Sequence, residues 1–202
     1  MSAETVHMRR LIESALSRGA AKAVQLSTSF IVIDPRVRMK CQVPICKNYG
    51  RSLMCPPSIM SLKEFSDILT RYSDSILVQW TLDPDPDMLR AIKGSSLSTL
   101  ENNDLYLKAM NRAIKEMTTQ LNALEGDAMR LGYRFATAFS GGPCALCDDC
   151  VGAGGHCRHP FMARPSMEAV GIDVIATAFN AGLPIKYPAE SAALLTGLLL
   201  VD

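Results

Sequence analysis

Apolar and polar positions change period several times along the chain, and each change predicts an element. The opening stretch MSAETVHMRRLIESALSRGA has the spacing of a short amphipathic helix that Gly19 ends. AVQLSTSFIVIDP follows; its β-branched residues and its Asp34–Pro35 stop predict a strand. In SLKEFSDILTRY, Ser61 and Glu64 stand at capping-box spacing and start a helix, and SILVQWTL after it predicts a second strand. DPDPDM, from Asp83 to Met88, reads as a rigid acidic connector, and the polar run from Lys93 to Asp104 as an insertion or boundary.

From Asp104 to Leu131, the residues Met110, Ile114, Met117, Leu121, Leu124, Ala128 and Leu131 recur at alternating steps of four and three, one stripe along a long helix that Gly132 stops. A seam so short, with Met and Ala in it, suits packing on a sheet better than a coiled coil. YRFATAFSGG predicts a third strand. RPSMEAVGIDVIATAFNAG predicts a helix with Ser166 as N-cap and Gly182 as its stop, and AALLTGLLLV, from Ala192 to Val201, a fourth, buried strand. Four strands alternating with helices predict an α/β fold with parallel crossovers, a single domain over residues 1–202, with cysteine-rich loops 41–57 and 141–161 at strand ends. Ligands gather at the carboxyl ends of strands in such folds, so both loops are expected on one edge of the sheet.

Composition narrows the chemistry. At 202 residues and 48% hydrophobic, the chain can bury one sizeable core. Lys and Arg total 21 against 20 for Asp and Glu, and a net charge of +1 creates no field that would draw nucleic acid or an anionic membrane. The apolar tract from Ala192 to Val201 is far shorter than the roughly 20 residues a membrane-spanning helix needs. No secretory leader is read at the N-terminus, so a cytoplasmic setting is expected. In a reducing compartment, seven cysteines in two groups point to metal or redox chemistry and not to disulfides.

The later group is Cys144-x2-Cys147-x2-Cys150-x6-Cys157. Three thiols at successive intervals of three can wrap one face of an iron-sulfur cubane while a fourth reaches the remaining iron, much as in the bacterial ferredoxin run. Zinc is the alternative cofactor, although structural zinc usually takes two short knuckles from separated places. Gly152, Gly154 and Gly155 free the backbone to aim N–H groups at sulfur. His156, Arg158 and His159 flank Cys157 as solvated charge and not as metal ligands.

The earlier group, Cys41-x4-Cys46-x8-Cys55, has three thiols. Three readings stay open for it: a second 4Fe-4S cluster with one open iron, a zinc site completed by histidine, or thiols packed as small apolar residues. Lys47, Tyr49 and Arg51 lie among these cysteines as ordinary loop residues, and His7 reads as a surface residue of the first helix. No nucleophile elbow, phosphate loop or paired acids point to a hydrolase or kinase.

On CKNYGRSLMCPP, GGPCALCDDC leading to CRHP, and ARPSMEAVGIDV, the chain resembles the predicted metal-binding proteins grouped as DUF2284, over nearly its whole length. The resemblance implies metal binding at Cys41, Cys46, Cys55, Cys144, Cys147, Cys150 and Cys157. The resemblance supplies no reaction; ligand count and spacing lead to an expected iron-sulfur oxidoreductase or electron carrier. One four-cysteine cluster and a second, three-cysteine one would work with a redox partner protein. A zinc-stabilised partner-binding module is the alternative from another class, and Lewis-acid catalysis at the open iron a third.

Overall fold

The sheet is built from β1 (Lys22–Ser27), β2 (Asp74–Thr81), β3 (Ala136–Phe139) and β4 (Leu194–Val201), in the order β1-β2-β4-β3. The computed structural model describes residues 3–81, 103–185 and 194–202. The Asp83–Met88 connector and residues 93–102 of the polar run lie outside them. The fold is α/β, but the expected parallel crossovers are not found: each neighbouring pair runs antiparallel, with Ile76 opposite Gln25 on β1 and Leu199 on β4, and Ala138 opposite Leu199. Continuous apolar runs suggest parallel strands because parallel sheets are normally covered on both faces. Here helices cover both faces of an antiparallel sheet, and burial alone produces the same runs.

Alternation along the strands divides two cores. Ile76 and Val78 of β2 and Leu199 and Val201 of β4 face α1 (Ala3–Ser17), together with Met8, Leu11 and Ala15. The long helix lies on that face as well. Its predicted stripe is buried at Ile114, Met117, Leu121, Leu124 and Ala128 and half-buried at Met110 and Leu131. The Ser14 hydroxyl donates to Asp127 at 2.5 Å, and Arg18 pairs with the same carboxylate at 3.1 Å, tying α1 to the long helix. On the opposite face Leu77, Leu198 and Leu200 meet Phe65, Met167, Val170 and Ile172. Each fully buried side chain of this size contributes about 1.5–3 kcal/mol.

The helices in chain order are α1, α2 (Pro35–Met39), α3 (Leu62–Leu69), α4 (Asp104–Arg130), the long one, and α5 (Val174–Asn180). Both halves of the predicted capping box at α3 form: Ser61 accepts from the Glu64 N–H at 3.2 Å, and the Glu64 carboxylate accepts from the Ser61 N–H at 2.7 Å. Two predicted elements are shorter than expected. β1 stops at Ser27, after which a 3-10 turn over Thr28–Phe30 leads to Asp34, which caps α2. The helix predicted from Ser166 breaks into a 3-10 turn (Glu168–Val170) and α5, because Gly171 sits at the left-handed φ of +91°; a Cβ at this position would lie 2.1 Å from Leu62 Cδ2. Ser166 still accepts from the Ala169 N–H at 3.1 Å, and Asp173 caps α5 through the Ala176 N–H at 3.0 Å. No described helix is long and apolar enough to cross a membrane.

Candidate metal centre

The later cysteine loop leaves directly from β3. Its start is fixed to its return segment: the Ser140 N–H donates to Pro165 O at 3.0 Å, and the Met167 N–H to Ser140 O at 2.9 Å. At Gly141 a Cβ would stand 2.6 Å from the Thr196 carbonyl of β4, so only glycine lets the chain turn off the sheet this closely. The exit is held by α4. Arg164 Nε donates to Glu125 at 2.7 Å, its Nη2 pairs with the other carboxylate oxygen, and Asn122 donates to Met162 O at 2.9 Å.

Between these anchors Cys144, Cys147, Cys150 and Cys157 line one cavity of about 90 Å³, with Met54 of the earlier loop on its wall. All seven cysteines are thiols without a disulfide, and Cys150 is the exposed one. The backbone N–H of Gly152 does most to hold the Cys150 thiol below its ordinary range, helped by the Leu53 N–H, the Ser52 hydroxyl and the Val151 N–H. Leu53 N lies 3.4 Å from Cys150 Sγ, and His159 N 3.4 Å from Cys157 Sγ. Gly152 is at φ +74°, which lets its N–H turn inward as the glycine run suggested. Burial pushes Cys144 upward, and the neighbouring Cys157, Cys147 and Cys150 add to the shift.

The earlier group follows α2 and not a strand, contrary to expectation. Tight turns gather it: the Cys46 N–H donates to Cys41 O at 3.0 Å and the Cys55 N–H to Ser52 O at 3.1 Å. Burial pushes the Cys55 thiol up to about 11, with smaller contributions from Cys46, Cys41 and Cys144. Cys41 is raised by burial and then by Cys46. The two groups therefore adjoin. Leu53 of one loop donates to a sulfur of the other, and Ser52 acts on both Cys55 and Cys150. Among the described residues, no three Cys, His, Asp or Glu side chains converge as the ligands of one metal ion do.

Residues 24–201 match the model of a family described as predicted metal-binding protein (DUF2284). The chain belongs to this family. No curated protein and no solved structure matches it. The description of DUF2284 extends to predicted metal binding, and both thiol groups lie within the matched span.

Around the centre of this DUF2284 chain, Lys47, Arg51, Asp148 and Asp149 line a wider cleft of about 590 Å³ beside Cys150. The Tyr49 hydroxyl accepts from Gln42 at 2.8 Å. His156 is exposed, and Arg158 donates to Asp149 O at 2.8 Å. His7 is half-buried, edge-on to Tyr133 at 6.2 Å, and not simply a surface residue. Sequence reasoning missed Ser52, Leu53 and Glu168. Backbone and hydroxyl donors leave no pattern in a sequence. Glu168 does: an acid inside the apolar run MEAVGI.

Proposed function

We propose that the chain is an iron-sulfur protein for electron transfer or a reductive step, with a 4Fe-4S cluster on Cys144, Cys147, Cys150 and Cys157 and a second on Cys41, Cys46 and Cys55. The observation that carries the reading is the set of four thiols around one cavity in a chain of a metal-binding family. A lone zinc draws its sulfur ligands to about 2.3 Å from a single point. The run of three thiols at successive intervals of three, with a fourth at Cys157, suits a guest with several metal corners instead.

When bound, such a cluster supplies one-electron chemistry at a potential its surroundings set. The chain's own groups provide those surroundings. N–H donors from Gly152, Leu53 and His159 point at ligand sulfurs and offset thiolate charge. Lys47 and Arg51 of the earlier loop and Asp148 and Asp149 of the later one give the cleft beside Cys150 charges of both signs, where a redox partner protein with a complementary pattern would meet the centre. Seven thiols without disulfides suit a reducing cytoplasm.

The test is anaerobic reconstitution with iron and acid-labile sulfide counted per chain, backed by absorption toward the blue and by EPR of the reduced protein. About eight irons with matching sulfide is the expected result. Zinc with no sulfide overturns it.

A further inference from the structure

Three thiols leave one corner of a four-iron cluster without a protein ligand, and the structure holds an unused donor beside them. Glu168 lies on the 3-10 turn that follows the later cysteine loop, and Gly171 at the end of that turn accepts from the Asp34 N–H at 2.9 Å, joining it to α2, which leads to Cys41. Its Oε2 is shut off from solvent and has no hydrogen-bond partner among the described residues. Gly142, which opens the later loop, and Lys40, which precedes Cys41, both act on its carboxyl, and the carboxyl in turn acts on Cys41. Bare carboxylate oxygen in a protein interior is costly unless a cation or donor faces it.

We propose that Glu168 completes the earlier centre, its Oε2 supplying the oxygen ligand for the iron that Cys41, Cys46 and Cys55 leave open. This rests on the iron-sulfur reading above. Burial does most to raise the Glu168 carboxyl and favours its protonated form, against the Ser166 hydroxyl and Gly142 N–H, so iron would take the place of a proton and give the orphaned oxygen its missing partner. Oxygen holds iron in such a cluster less firmly than thiolate does, so the Glu168 corner is where an incoming substrate would displace a protein ligand.

Glu168→Gln keeps the shape and removes the charge. After anaerobic reconstitution and mild oxidation, the variant is expected to lose about one iron per chain from the earlier centre and show a three-iron EPR signal, while the later cluster keeps its four. Glu168→Cys, which offers a thiolate instead, is expected to retain that iron. In the metal-free protein, Glu168→Gln is expected to unfold within error of the urea concentration of the unaltered chain, because an amide of the same shape occupies the same unpartnered position. Equal iron retention by Glu168→Gln and the unaltered protein would overturn the proposal, as would an equal loss of stability with and without iron, which marks a merely structural role. Failure of the iron-sulfur reading itself is seen earlier, as absent sulfide in the unaltered protein.

Discussion

Replacing Glu125 by alanine tests how the exit of the later cysteine loop is held. Glu125 Oε1 accepts from the Ala138 N–H of β3 at 2.5 Å and from Arg164 Nε at 2.7 Å, and Oε2 pairs with Arg164 Nη2. The two side chains are only 10% and 16% exposed. Removing one partner of a buried pair costs about 3–5 kcal/mol, mostly by stranding the other charge. The lower end applies here, because Arg164 also donates to the carbonyls of Phe161 and Ala163, at 3.2 and 2.9 Å, and keeps those partners. A loss of about 3 kcal/mol is a large part of a total stability of roughly 5–15 kcal/mol. With a urea dependence of about 2 kcal/mol/M, the unfolding midpoint of the metal-free protein, followed by far-UV circular dichroism, falls by about 1.5 M. Glu125→Gln keeps an acceptor for Ala138 and falls in between, and adding Arg164→Met to the alanine variant recovers part of the loss. A Glu125→Ala midpoint within error of the unaltered chain would refute the argument.

Gly141→Ala places a methyl 2.6 Å from the Thr196 carbonyl and is expected to cost about 1–3 kcal/mol, seen by calorimetry as a Tm lowered by roughly 5 °C; an unchanged Tm contradicts the close approach. Cys147→Ala is expected to halve the bound iron while leaving the earlier centre loaded, and Cys55→Ala to do the converse; loss of all iron in both would mean the groups share one guest. Cys55 also predicts a pH effect in the metal-free protein. Its thiol is raised from 9.0 to about 11, so the native state keeps a proton that the unfolded chain releases in between. The stability from that buried neutral thiol is present below about pH 9 and is lost as pH rises through 11, and Cys55→Ala flattens this decline in urea titrations; an identical slope counts against it.

Periodicity made α4 legible almost to its ends, since a stripe at steps of four and three allows only one helix face. The Ser61 capping box was equally legible, because both of its bonds are local. Strand direction was not. The runs ILV of β2 and LLLV of β4 record burial on both faces, and burial is indifferent to direction. Sequence reasoning missed the break at Gly171, although a glycine inside a helical pattern can mark a stop, because its left-handed φ of +91° is set only in the folded chain. At the centre, spacing revealed the thiols but not the meeting of the two loops. That meeting depends on a backbone N–H at Leu53 and a hydroxyl at Ser52, groups whose roles follow from tertiary placement.

The family match begins at residue 24, yet α1 lies wholly before it and covers one flank of α4 with Met8, Leu11 and Ala15. A gene trimmed to the matched span would therefore express a protein with an oily groove open to water, prone to clump before any metal is offered to it. Whoever clones this chain should keep those leading turns.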